Sequence, residues 1–330
     1  MRRWLALLTI ATFVFALPPD EEPAPEPAPQ ADAGADAQWA IEKPEATPTG
    51  DPVRLGLTLE AGKAHATRFA MEMAMNMQVG GNPIPTQMTM EMDMKMGVLK
   101  VDQEGNADVE VPFRFTKMAA NGQDMTKMLA GMIQPGAKLT ARIDKRGAAI
   151  PGTVKSEGFG MMASNVEKQL ETSPYSQLPE NPVRVGDVWE VPAEVFGKAF
   201  ASGGIEGATV DGDVYAKLEA LETHDGADCA RIRTVFSLKI SGDNMKMQGQ
   251  PAKGNGRIKG EGVFWHGLDG YSRGGDIKLK MNMNVTMMGQ AVVMDSDVKQ
   301  LLSGGPEPYG TAKEEAQGQE SPLPPPPPGG

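Results

Sequence analysis

From residue 69 to 96 the chain alternates apolar and polar positions with a period of two: FAMEMAMNMQVGGNPIPTQMTMEMDMKM. Successive side chains of a strand point to opposite faces, so Phe69, Met71, Met73, Met75 and Met77 share one face while Arg68, Glu72, Asn76 and Gln78 share the other. On the second arm Met88, Met90, Met92, Met94 and Met96 face together, against Thr89, Glu91, Asp93 and Lys95. The pattern predicts an antiparallel hairpin with one covered face and one wet face. Setting Met71 opposite Met96 and Met77 opposite Met90 also sets Glu72 opposite Lys95, Phe69 opposite Val98 and Val79 opposite Met88. That register leaves 80–87, with Gly80, Gly81, Pro83 and Pro85, as the loop.

The same period recurs along the chain. A short strand is expected at 54–59 and another at 107–115 after the Glu-Gly-Asn turn. KLTARIDKRGAAIPGTV reads as a hairpin turning at 144–147, and VYAKLEALETHDGADCARIRTVFSLKI as two strands around a His-Asp-Gly turn. Late in the chain Ile277, Leu279, Met281, Met283, Val285 and Met287 alternate with polar residues, and a turn at Met288-Gly289 leads into Val292, Met294 and Val298. Helical spacing is confined to QDMTKMLAGMIQPG, with Asp124 as its cap, and to MMASNVEKQLETSP, stopped at Pro174. The fold class is therefore mainly β: an antiparallel curved sheet or half-barrel of hairpin repeats with one or two short helices. Similar strand-turn-strand runs from Val98 and from Leu218 suggest duplication, with halves at 51–155 and 205–303.

Both ends read differently. Residues 1–16 have a basic start (Arg2, Arg3), an apolar run and small residues (Val14, Ala16) before a cleavage point, which is the pattern of a secretory signal peptide. The apolar run is shorter than the roughly 20 residues of a membrane span, so membrane attachment is expected only if this segment stays uncleaved. Residues 17–50 are rich in Pro, Ala and Glu, and 304–330 end in a proline run; both read as disordered, with Trp39 and Ile41 as docking points in the first. One β-rich domain over 51–303 remains. Export to the periplasm or beyond follows, and the lone Cys229 excludes an internal disulfide. The formal net charge of −11 argues against nucleic acid as a partner.

With 23 methionines and only 5% aromatics, the inward stripes need an explanation beyond strand propensity. Covering the nine methionines of the first hairpin contributes on the order of 15 to 25 kcal/mol of gross transfer energy, which makes an exposed stripe implausible. Four readings remain open: a core filled by adaptable thioethers, an apolar wall for a lipid-like ligand, a soft Cu(I) site, and an oxidant sink. Histidine is absent from both stripes, which weakens the copper reading.

Catalytic patterns are missing: no HExxH, CxxC, GxSxG or phosphate loop occurs. His65, His224 and His266 each read as surface or turn histidines, so no catalytic residue, metal ligand or cofactor is assigned. The segments LTLEAGKAHATRFAMEMAMNMQV, TQMTMEMDMKMGVLKVDQEGNADVEV, LTARIDKRGAAI, LPENPVRVGDVWEV and IKLKMNMNVTMMGQ together resemble a family of uncharacterised bacterial envelope proteins. The resemblance implies export and a duplicated β-rich fold without an established activity, and many members carry a lipobox cysteine that this chain lacks. Within the Pro182–Trp189 segment, Gly186-Asp187 is expected to form a tight turn presenting Trp189 to the core. The expected role is an exported, non-enzymatic envelope protein, either a structural component or a binder of an apolar ligand. Its wall would comprise Met71, Met73, Met75, Met77, Met90, Met92, Met94, Met96, Met281, Met283, Met287 and Trp189.

Overall fold

The computed structural model describes residues 37–79, 81–128, 133, 134, 136–160, 163, 167, 177–195, 205–247, 250–287 and 289–309. The expected signal peptide, most of the two expected helices and the chain beyond 309 lie outside them; Thr126–Met128 and Ala193–Val195 are helical. The strands are β1 (Thr49–Val53), β2 (Lys63–Val79), β3 (Asn82–Val101), β4 (Ala107–Ala120), β5 (Gln123–Asp124), β6 (Lys138–Ile143), β7 (Lys155–Glu157) and β8 (Val183–Val185). After them come β9 (Val188–Glu190), β10 (Ile205–Glu206), β11 (Thr209–His224), β12 (Ala227–Met247), β13 (Gln250–Gly267), β14 (Ser272–Met287) and β15 (Gln290–Pro308). One antiparallel sheet runs β7-β6-β4-β3-β2-β15-β14-β13-β12-β11-β9, with β5 beside β4 and β10 beside β12, while β1 pairs with β8. Among the described residues its two end strands, β7 and β9, do not pair, so the sheet is open, and the fold is mainly β as the period predicts.

The alternation assigns the faces as expected, but the first hairpin has a different register. Met71 pairs with Met90, Glu72 with Thr89 and Val79 with Asn82, which carries the ladder well into the expected loop, and Gly81 has φ +81°. The slip from the expected register is an even number of residues, which keeps every methionine on its face. Two features explain it. Glu72 lies opposite Lys299 of β15, a partner that a hairpin considered alone does not contain, and Arg68 bonds Asp93 at 2.9 Å. Pro83 and Pro85 share the phase of Gln87, whose N–H points away from β2 to Asn121 Oδ1 (2.8 Å); β4 ends at this level, so no ladder bond is lost.

Two other boundaries move. Residues 54–59 form an extended strap rather than a strand, anchored by buried Leu55 and by Leu57 and Leu59. β15 continues through Pro308, pairing Gly304 with Thr67 and Pro308 with Lys63. Its prolines are tolerated because β14 ends near Ser272 and leaves that side unpaired. The turns at 144–147 and 225–226 form where expected, with Gly147 donating to Asp144 O (2.8 Å) and Asp225 and Gly226 both at positive φ.

Inward residues of β2, β3, β4 and β11 to β15 join in one apolar cluster with Leu55, Val183 and Val191. A smaller cluster, including Met96, Val98, Val109 and Leu139, sits under β4 and β6. Close coiling of β12 to β14 depends on small residues: Gly254, Gly256, Gly260 and Gly262 occupy inward positions of β13. A Cβ at Gly260 would lie 2.5 Å from Phe236 Cζ and 2.7 Å from Lys278 O, so the Phe236 ring covers a space that no side chain can share. Replacing Gly260 by Val is expected to destabilise the fold by about 1–3 kcal/mol through overpacking, measured as a lower urea midpoint. An unchanged midpoint would show that this column does not constrain the sheet.

Candidate functional site

The inward face of β2 is one continuous stripe: His65, Thr67, Phe69, Met71, Met73, Met75 and Met77. Flanking it, β3 contributes Met88 to Met94 and β15 contributes Val298, Gln300 and Leu302. Of the residues expected to form an apolar wall, Met71, Met73, Met75, Met90, Met92, Met94, Met283 and Met287 fall in the main cluster. Met281 and Trp189 are partly buried against it, Met77 is buried, and Met96 belongs to the smaller cluster. Trp189 follows the expected turn, where Asp187 N–H donates to Arg184 O (3.0 Å) and Gly186 has φ +90°. Its indole N–H donates to Gln177 O at 2.8 Å.

Polar side chains interrupt this wall. Gln300, opposite Met71 and Ile277, has 0% exposure, and neither end of its amide has a partner among the described residues. Ser296, between Met75 and Met281, is buried with an unpartnered hydroxyl. A buried amide without partners costs about 1–3 kcal/mol, so an inward Gln among methionines is not a packing choice. At the opposite end of the wall, four methionines (Met247, Met283, Met287 and Met294) with Val285 and Val292 surround a void of about 10 Å³.

At the His65 end the wall meets a polar group of residues that the sequence reading did not assemble. His65 and His266 are buried, not surface or turn histidines; His224 ends β11 beside the 225–226 turn, stacked on Trp265 at 4.3 Å. The strap at 54–59 explains the burial. His65 Nε2–H donates to Thr58 O and His266 Nε2–H to Gly56 O, each at 2.8 Å; a carbonyl only accepts, which fixes the proton on Nε2. His65 stacks on Tyr271 at 4.2 Å, and the Arg273 guanidinium lies 6.0 Å from the same ring. Arg273 Nη2 donates to Asp269, whose carboxylate reaches solvent.

Among the described residues, His65 Nδ1, Tyr271 OH and Arg273 Nη1 have no hydrogen-bond partner. Their residues are 3%, 4% and 6% exposed, so water does not reach them from the surface. Burial pushes the His65 imidazole down to about 3 and the Tyr271 phenol up. Cys229, on β12 opposite Gly267, is also raised by burial, which makes it a poor thiolate nucleophile. On the outer, polar face a trough of about 1250 Å³ lies between the strap at 40–45 and β2, β3 and β12 to β15. Ion pairs line it, Arg233–Glu261 at 2.8 Å and Lys280–Asp297 at 3.8 Å, and Lys259 Nζ holds the strap through Gln38 O and Ala40 O.

No protein-family model matches the chain, and no curated protein matches it. Solved structures overlap it loosely. A structure concerned with lipid–protein interactions in lipovitellin aligns at TM-score 0.41 and 11% identity, over 77% of this chain and 26% of that one, so this chain spans about a quarter of lipovitellin's length. A DUF1329 family protein from Desulfovibrio piger aligns at TM-score 0.16 and 13% identity, over 69% of this chain and 83% of that one. A domain described as outer membrane lipoprotein-sorting, from Vibrio parahaemolyticus, aligns at 0.14 and 12%, over 77% and 89%.

Because the folded pKa of His65 lies below its unfolded value, the unfolded state binds the extra proton between about pH 3 and 6.5. The contribution of neutral His65 is intact above pH 6.5 and erodes as pH falls through that window. Denaturant titrations of His65→Gln at pH 7 and 4.5 are expected to show a smaller pH dependence than the unsubstituted protein, by up to about 2 kcal/mol. Equal dependence in both proteins would place His65 in contact with water.

Proposed function

We propose that this is an exported, non-enzymatic envelope protein whose inward methionine face receives an apolar or lipid-like ligand. The observation that carries this reading is the buried amide of Gln300, unpartnered at the centre of the wall. A face evolved only as a core would place an apolar residue there, whereas a guest carrying a polar group gives the amide something to bond. Methionine suits such a wall because its unbranched thioether re-packs around guests of different shape. An open sheet, with end strands that do not pair, leaves a side through which a guest enters. Export rests on the signal-peptide pattern of residues 1–16.

A second reading attaches to the four thioethers around the void of about 10 Å³, since soft sulfur donors suit Cu(I). One measurement separates the two. Native mass spectrometry of gently purified protein is expected to show a lipid-mass adduct, and the stripped protein is expected to take up a fluorescent fatty acid. Bare polypeptide with no uptake would sink the lipid reading. A copper-mass adduct after anaerobic Cu(I) addition, lost in Met283→Leu, would favour the second.

A further inference from the structure

The buried polar group at the His65 end does not belong to an ordinary core. Its members come from two strands, His65 from β2 and Arg273 from β14, with Tyr271 immediately before β14. Along β2 the phase is unbroken from His65 to Met77, so His65, on which Tyr271 stacks, and the methionines lie on one side of one strand. At about 3.4 Å per residue that stripe is about 40 Å long. An acyl chain occupies about half of the ~30 Å hydrocarbon core of a bilayer, so the stripe exceeds the length of one chain.

Arg273 is the informative residue. A guanidinium at 6% exposure is costly to bury unless its donors are used, yet Asp269 takes only Nη2 and leaves Nη1 unbonded. Nη1 is fully buried, within ordinary contact distance (3.4 Å) of where a Cβ would stand at Gly305 of β15, so its donor is shut off from water and still unbonded. Tyr271 OH supplies a second donor, and the ring beneath it is held by stacking on His65. His65 adds no positive charge, since burial keeps the imidazole neutral. With one partly neutralised guanidinium, the group matches a single negative charge better than a phosphate dianion.

We propose that Arg273 and Tyr271 bind the carboxylate of a single-chain amphiphile whose tail lies along the methionine stripe of β2. This rests on the reading of the stripe as an apolar ligand wall. The carboxylate accepts from Arg273 Nη1–H and Tyr271 O–H, and His65 orients the phenol through the stacked ring. The strap at 54–59, bonded to both histidines, closes this end over the head group.

The test uses the full chain after removal of bound lipid and measures displacement of a fluorescent aliphatic probe by laurate and by methyl laurate, which differ only at the head. The unsubstituted protein is expected to bind laurate roughly tenfold or more tightly than the ester, the size of a charge-assisted hydrogen bond. Arg273→Met is expected to remove that preference while leaving ester binding within about twofold. Tyr271→Phe keeps the stacked ring and is expected to weaken laurate alone by several-fold, which covers the case of Arg273→Met failing to fold. Equal binding of laurate and ester by the unsubstituted protein, or a preference that survives both substitutions, overturns the head-group site while the apolar wall stands. Absence of any probe binding overturns both.

Discussion

Everything in this structure depends on the parity of inward positions across one very wide sheet. A strand exposes alternate residues to opposite sides, so a sheet that covers one face must keep its apolar phase through every ladder. Phe69 to Met77 on β2 match Met294, Val298 and Leu302 on β15, which match Gly275, Leu279 and Met283 on β14, without a break in phase. Where a bulge occurs, as between Gly242 and Met245 of β12, a methionine regains the inward side. Flexible thioethers suit the curved surface that results, and the β13 glycines allow β14 and Phe236 to approach.

The faces of the strands were legible in the sequence because parity survives errors of register. Met71 meets Met90 rather than Met96, yet both pairings place the same side chains inward. The register itself was not legible from the hairpin. Glu72 has Lys299 as its opposite number on a strand more than 200 residues away, and prolines that resemble a loop lie on the side of β3 that β4 does not cover. Local sequence carries no information about either neighbour. The same limit applies to β15, whose prolines signalled a tail but follow the outer part of β2.

The wall was legible, and part of what interrupts it could have been. In AVVMDSDVKQLL, Ser296 and Gln300 stand in the phase of Val292, Met294, Val298 and Leu302; a polar residue at an inward position is a signal that one strand contains. His65 likewise keeps the phase of Phe69. The assembly of His65, Tyr271 and Arg273 was not legible, because it needs the β2–β15–β14 order and the strap at 54–59 closing over both histidines. Buried polar atoms without partners mark both places where the wall departs from an apolar core.

The most direct measurement of the central claim is methionine oxidation by dilute peroxide, read residue by residue by peptide mass spectrometry. Met128, 51% exposed, is the internal reference, and Met71, Met73, Met90 and Met92 are all below 5%. The inward assignment requires Met128 to oxidise rapidly while the stripe methionines stay protected until the protein is unfolded. Oxidation of the stripe at the rate of Met128 would contradict it, and would mean that the alternation builds an exposed sulfur surface rather than a wall.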